Sequence, residues 1–233
     1  MQDKYAGDIG DYIKLGLLRA LQPGRKLGIA WYHYPDEPAR NDGKHIAYLD
    51  DPGRYQHYDP ALYQQLRGVV ASGRSIAALH PTLPDAVFSA GALDVADIPH
   101  NQRRLWRQDW FAQTLKELRE CDLVFADPDN GLVDDGDHRK GSKTFAKQMP
   151  LAEALRLAEG RTAVIYHYNT RRPGGHDAEV DFWLGQLPPG AMAVRARKFS
   201  CRSFFILNPD ELLRHRVEGF CAKWRGCGVS LHD

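Results

Sequence analysis

The chain has 233 residues, 43% of them hydrophobic and 26% charged, with 31 Lys and Arg against 30 Asp and Glu. That is enough for one large α/β domain over 1–233 and short for two. The near-neutral balance gives no global attraction to nucleic acid, so any such binding has to come from a local basic patch. No apolar run approaches the roughly 20 residues that cross a bilayer, and the first residues are acidic and polar where a secretion signal would be basic and then apolar. The expected location is therefore the cytoplasm. Cys121, Cys201, Cys221 and Cys227 form no C-x-x-C pair and read as reduced, structural thiols.

From the amino end, Tyr5-Ala6-Gly7-Asp8-Ile9-Gly10-Asp11 is a glycine-punctuated loop. The spacing of Ile13, Leu17, Leu18 and Leu21 then predicts a helix with Asp11 as its N-cap, ended by Pro23-Gly24. A loop running into a helix amino terminus offers N–H groups to an anion, and Lys14 lies one turn in, on the loop side. Leu27 to Tyr32 predicts a buried strand that empties into His33-Tyr34-Pro35-Asp36 and then Asn41-Asp42-Gly43-Lys44-His45. This run crowds Asn41, Asp42, Lys44 and His45 where a first parallel strand would deliver them, and marks them as candidate substrate contacts.

Residues 50–60 read as loop and Ala61 to Ala71 as a helix carrying Leu62, Leu66 and Val69 inward. Ser75 to Leu79 and Ala86 to Ala90 read as short strands. A helix over about 101–120 buries Leu105, Trp106, Trp110, Phe111, Leu115 and Leu118. Arg103, Arg104 and Arg107 at its opening either grip phosphates or form a solvated face.

Leu123-Val124-Phe125-Ala126 has no polar alternation, which predicts a strand covered on both faces. It stops at Asp127-Pro128-Asp129-Asn130-Gly131. Parallel sheets put their chemistry beyond the carboxyl ends of such strands, so Asp127, Asp129 and Asn130 are the candidate catalytic residues. The charged stretch 134–143 is either a lid over this site or a loose insertion. A helix from Phe145 to Ala158 leads to an apolar strand, Thr162 to Asn169, which presents His167 near its end. His176 to Leu187 is a helix, Ala191 to Phe199 and Arg202 to Asn208 form an antiparallel hairpin, and Asp210 caps a last helix from Glu211 to Trp224.

Parallel strands alternating with helices and closed by one hairpin have the layout of a Rossmann-like methyltransferase domain. The Asp127-Pro128-Asp129-Asn130 loop resembles the D-P-P-Y motif of amino-group methyltransferases, and Ala6-Gly7-x-x-x-Asp11-x-x-Lys14 resembles the start of the bacterial family that methylates adenine N6 in large-subunit ribosomal RNA. The resemblance implies S-adenosylmethionine as cofactor and an amino group, on a nucleobase or similar substrate, as target. It implies that Asp127 accepts a hydrogen bond from that group, that Asp129 and Asn130 hold the substrate, and that Tyr5, Gly7, Asp8, Asp11, Lys14, Trp31 and Asp36 line the cofactor side. Arg103, Arg107 and His167, with the loop residues Asn41, Asp42, Lys44 and His45, would then contact substrate.

Two other readings stay open. Asp127 and Asp129 with Asp36 or Asp42 could hold Mg²⁺ in a phosphodiesterase or nuclease, with Lys44, His45, Lys143 or His167 stabilising or protonating the reacting groups. A non-catalytic binding module on the same fold is the third.

Overall fold

The computed structural model describes residues 1–36, 45–170 and 172–232; Asn41, Asp42 and Lys44 lie outside the described residues. Strands β1 (Leu27–Ala30), β2 (Val87–Phe88), β3 (Leu123–Ala126), β6 (Thr162–Tyr168), β7 (Met192–Ala196), β8 (Arg202–Leu207) and β9 (Val229–Leu231) form one seven-stranded sheet in the order β2-β1-β3-β6-β8-β7-β9. A separate two-stranded pair joins β4 (Leu132–Val133) to β5 (Met149–Pro150). β2, β1, β3 and β6 are parallel, while β8 is antiparallel to both β6 and β7, and β9 to β7. The result is a Rossmann-like α/β domain whose hairpin ends the parallel part of the sheet.

Side chains alternate between two cores, as a two-sided sheet requires. Leu27, Ile29, Leu123, Phe125, Val164, Phe204 and Ile206 face a layer made of α1 (Ile9–Leu21), α3 (Pro60–Ala71) and α7 (Glu211–Trp224). Ala30, Val124, Ala126, Ala163, Ile165 and Phe205 face α4 (Arg103–Glu117), α5 (Leu151–Leu157) and α6 (Gly175–Leu184). The short α2 (Pro52–Tyr55) lies on the first side through Tyr55. Among the described residues no helix is long and apolar enough to cross a membrane.

The helix at Glu211–Trp224 has the bounds and the Asp210 cap that its sequence predicts, with the Leu213 amide donating to Asp210 Oδ1 at 2.9 Å. Other expectations need correction. Asp8, not Asp11, is the N-cap of α1, its Oδ1 accepting from the Asp11 amide at 3.0 Å; Asp11 is thereby freed to point back at the loop. The segment 75–79 is no strand, since a 3-10 turn runs over Ala77–Thr82, with Pro81 inside it. Residues 86–90 keep only two strand residues. The expected helix over 145–158 is a 3-10 turn (Lys143–Lys147), then β5, then α5, because Pro150 ends one element and begins the next. The hairpin strand expected to reach Phe199 stops at Ala196, and Phe199 itself has φ +62° in the turn. The charged stretch 134–143 is pinned by Arg139–Asp134 (3.1 Å) and Lys140–Asp137 (2.5 Å) ion pairs and by Arg103 Nη1 donating to the Gly141 carbonyl at 2.8 Å.

Candidate functional site

From β1 the chain crosses to β2 on one side, then returns to place β3 on the other side of β1. Strand order therefore reverses between β1 and β3, and in open α/β sheets ligands bind in the crevice outside the carboxyl ends at such a point. The residues at these two ends are Trp31-Tyr32 and Asp127-Pro128-Asp129-Asn130, with the amino end of α1 and residues 1–8 packed against them.

At the centre is a buried ion triplet. Lys14 Nζ lies 2.7 Å from Asp11 Oδ1 and 2.7 Å from Asp127 Oδ2, and the three residues are 4%, 2% and 2% exposed. Helical spacing brings Asp11 and Lys14 together, and the short polar turn after β3 delivers Asp127 to the same ammonium. Asp11 Oδ2 also accepts from the Gly7 amide at 2.9 Å, which ties the loop to the helix. Burial, helped by the charges of Asp8 and Asp127 and opposed by Lys14, raises the Asp11 carboxyl to about 6. Lys14 moves the other way: burial would lower it, but its two carboxylates outweigh that and hold it protonated well above the ordinary lysine range. One cation thus serves two acids, and the cluster carries a net negative charge when both are ionised.

Trp31 forms the floor of this cluster, its ring 5.5 Å from Lys14 Nζ and set among Phe88, His80 and Phe125. The Tyr166 ring closes one side, 5.6 Å from the same ammonium. Met1 lies across the top, with Sδ 3.3 Å from Lys14 Nζ. The carbonyls of Trp31, Tyr32 and Asp127 converge on the Met1 nitrogen at 3.3, 3.0 and 3.1 Å. Three carbonyls and nearby carboxylates around one point make a place that accepts N–H donors and cations.

Asp129 and Asn130 stand at the rim, half-buried. Asp129 Oδ2 accepts from Gln2 Nε2 at 2.6 Å and lies 3.9 Å from Lys147 Nζ, and Lys147 packs its ammonium 4.5 Å from the Tyr34 ring centroid. The Asn130 amide donates to the Lys147 carbonyl at 2.8 Å. Asp36 is exposed and accepts from the Lys4 amide at 3.3 Å; half-buried Tyr5 follows Lys4 in the amino-terminal segment, which the Ile76 amide ties down by donating to Asp3 Oδ1 at 2.7 Å.

The remaining candidates are held elsewhere. His167 is 1% exposed; its Nδ1 accepts from the Leu132 amide at 3.0 Å, which places its proton on Nε2, donated to Glu179 Oε1 at 3.0 Å. Both nitrogens are engaged with the protein. Glu179 also accepts from Asn169 Nδ2 and from the Thr170 amide and hydroxyl. Burial alone would raise its pKa, but the hydrogen bonds from His167 and Thr170 outweigh it and hold the carboxyl at about 2. The turn at Gly131 (φ +77°) depends on this unit, because a Cβ there would meet His167 Nδ1 at 2.4 Å.

Arg107 is buried on the opposite face, forked onto Glu153 at 2.9 and 2.8 Å, donating to the carbonyls of Ala146 and Gln148, and set 5.0 Å from the Tyr32 ring. Arg103 donates to the carbonyls of Ile98 and Gly141. His45 is exposed, its carbonyl accepting from the Ile9 amide and its ring stacked 5.1 Å from Phe199. The structure therefore brings together Gly7, Asp8, Asp11, Lys14, Trp31, Asp127, Asp129 and Asn130, and sets Arg103, Arg107 and His167 apart as holders of loops.

Sequence reasoning missed Gln2, Tyr166, Glu179 and Arg202. Arg202 had a signal: it shares the inward face of β8 with Phe204 and Ile206, and a cation at a core-facing strand position is out of place. Glu179, inside a helix and separated from His167 by twelve positions, had none.

Among the described residues no group of three or more His, Cys, Asp and Glu side chains is arranged to hold a metal ion. A groove of about 740 Å³ lies at the other edge of the sheet, beyond the amino ends of the strands, where Arg19, Arg25 and Arg216 line it while bonded to Asp59, Asp210 and the Leu21 carbonyl. The structure thus defines a Rossmann-like α/β domain with a buried, acid-rich ion cluster at the switch point between β1 and β3. No protein-family model matches the chain, and no curated protein matches it.

Proposed function

We propose that the domain is a diverged S-adenosylmethionine-dependent methyltransferase acting on an amino group of a nucleobase or similar small substrate. The observation that carries the reading is the Asp127–Asn130 loop, delivered by β3 to the switch point and paired there, through Asp127, with Lys14 of α1. The antiparallel strand β8 between β6 and β7 supports it, being the hairpin expected of that fold.

The residues at the site suit the amino-acid end of the cofactor. The carbonyls of Trp31, Tyr32 and Asp127, which meet at the Met1 nitrogen, would take a ligand ammonium in its place. Elsewhere the pattern has diverged: His33-Tyr34-Pro35-Asp36 stands where such enzymes have an acid and closely spaced glycines, and Asn130 stands where they have an aromatic residue. When bound, the cofactor supplies an electrophilic methyl group. The chain's own part is to accept and orient the target N–H groups on Asp127 and Asp129, and to stabilise the positive charge that develops on nitrogen. Lys14 fixes the Asp127 carboxylate so that its geometry is set before substrate arrives.

Thermal unfolding with S-adenosylhomocysteine tests the reading. A concentration-dependent rise in Tm for the wild type, smaller in Trp31→Ala, is expected. No rise at millimolar ligand refutes it.

A further inference from the structure

Arg202 is 4% exposed, yet among the described residues its Nε and Nη1 atoms, which carry most of the guanidinium hydrogens, have no hydrogen-bond partner, while Nη2 donates to Ser200 Oγ. A buried guanidinium left this open is costly unless something outside the chain completes it. It is aimed at the first turn of α1. A Cβ on Gly10 would lie 3.0 Å from Arg202 Cζ and 3.1 Å from Nη1, so a glycine is what lets the guanidinium approach the positive end of a 13-residue helix. Asp8 Oδ1, 2.9 Å from the same Cβ position, lies between these two positive features but is engaged by the Asp11 amide, which leaves the open guanidinium hydrogens to a further anion.

The surroundings have the same character. Lys198 and Arg202, both of the β7–β8 hairpin, and Arg54 of α2 each contribute to the potential at the buried thiol of Cys227. The Tyr55 ring has Arg54 and Lys198 each 5.5 Å from its centroid. Phe199, 54% exposed and held at φ +62°, presents its ring beside Lys198 at 5.1 Å, stacked on His45. The opposing charge is Asp8, whose carboxylate is occupied in capping α1. Tyr166, whose ring centroid lies 5.6 Å from Lys14 Nζ, is also acted on by the charge of Arg202, which links the guanidinium to the Lys14–Asp127 site.

We infer that Arg202, the first turn of α1, Lys198 and Arg54 form a subsite for the phosphate of a nucleotide or single nucleic-acid strand, with Phe199 as a platform on which a neighbouring base stacks. Arginine is suited to phosphate by its planar donor array, and exposed aromatic rings interleaved with cations are how single strands are held without reading sequence. The inference rests on the nucleobase reading above for the identity of the phosphate's bearer, and its test is separable from that reading.

The test is fluorescence anisotropy of a short labelled single-stranded oligonucleotide, with AMP and inorganic phosphate as competitors, over a range of salt. The wild type binds, and Arg202→Met weakens binding by on the order of tenfold or more without lowering Tm, because removing an unpartnered buried charge relieves a cost. Lys198→Ala lowers the salt dependence by about one counterion, and Phe199→Ala weakens the oligonucleotide more than inorganic phosphate. Competition by AMP at the oligonucleotide's own affinity identifies a mononucleotide ligand, and competition only by longer strands identifies nucleic acid; both uphold the subsite. Absence of binding by the wild type at low salt overturns it, as does an Arg202→Met protein that binds unchanged or melts several degrees lower. If Arg202→Met loses binding while S-adenosylhomocysteine stabilises nothing, the phosphate subsite stands and the methyl-transfer reading falls.

Discussion

Lys14→Met removes the cation from the ion triplet and keeps the stem volume. Asp11 and Asp127, each 2% exposed, then lose the ammonium that ion-pairs with both, and among the described residues no other side chain forms an ion pair with either. Breaking a buried ion pair from one side costs about 3–5 kcal/mol, and here two carboxylates lose one ammonium, so the upper part of that range is expected. The loss depends on pH in a stated direction. Asp11 already titrates at about 6 with Lys14 in place, so without the lysine its folded pKa lies higher still above the ordinary 3.8. A raised folded pKa favours folding at pH below the unfolded value and loses that advantage as pH rises through the folded one. The variant should therefore be several kcal/mol weaker than wild type in urea unfolding at pH 8 and recover much of the difference at pH 5, where the Asp11 carboxyl takes up a proton. A deficit under about 1 kcal/mol at pH 8, the level of an exposed pair, or one that does not change with pH, refutes the triplet as the electrostatic centre of the crevice.

Three other outcomes follow from the geometry. Glu179 has a folded pKa of about 2 against an ordinary 4.5, so its stabilisation is complete above 4.5 and drains as pH falls towards 2; Glu179→Gln should flatten that acid limb and cost on the order of 3 kcal/mol at pH 7, read by urea unfolding across pH. Gly131→Ala puts a methyl against His167 Nδ1 at a positive φ and should cost at least about 2 kcal/mol, with the His167 ring resonances shifting in NMR. Arg107→Lys keeps the charge but loses the fork onto Glu153, and should destabilise by about 1–3 kcal/mol while leaving oligonucleotide anisotropy unchanged.

The parts of the fold legible in sequence were those whose signal is local. The four apolar residues Leu123–Ala126, the Asp210 cap and the short hairpin between β7 and β8 each announce themselves within a few positions. The misread parts depend on tertiary context. Ser75 to Leu79 has strand-like composition, but Pro81 follows two residues on and cannot give an amide to a ladder, and the chain turns over Ala77–Thr82 instead. The region 145–158 reads as one helix, but Pro150 divides it, and its two strand residues exist only because Leu132 and Val133 arrive to pair with them. Val229–Leu231 was unmarked because three residues carry no period, and β7 supplies the ladder that makes them a strand.

The candidate site divides the same way. Asp127, Asp11 and Lys14 could be singled out because a turn after a strand and a helical spacing place them. That one ammonium would serve both acids is a long-range fact, separated by more than a hundred positions. Arg107 and His167 show the converse, since residue types that suit catalysis are equally suited to tying loops down. Their neighbours Glu153 and Glu179, each distant in sequence, decide the matter.

Transfer of a labelled methyl group from S-adenosylmethionine to a panel of nucleosides, nucleotides and single-stranded RNA and DNA, by the wild type and by Asp127→Asn, is the most direct examination of the crevice. The asparagine variant leaves Lys14 paired with Asp11 and so keeps the fold. The account predicts label on an exocyclic nitrogen with the wild type and a loss of at least a hundredfold, about 3 kcal/mol, in the variant. Label incorporated equally by both proteins would remove Asp127 from the chemistry, and no label on any substrate with the wild type would contradict the proposed activity.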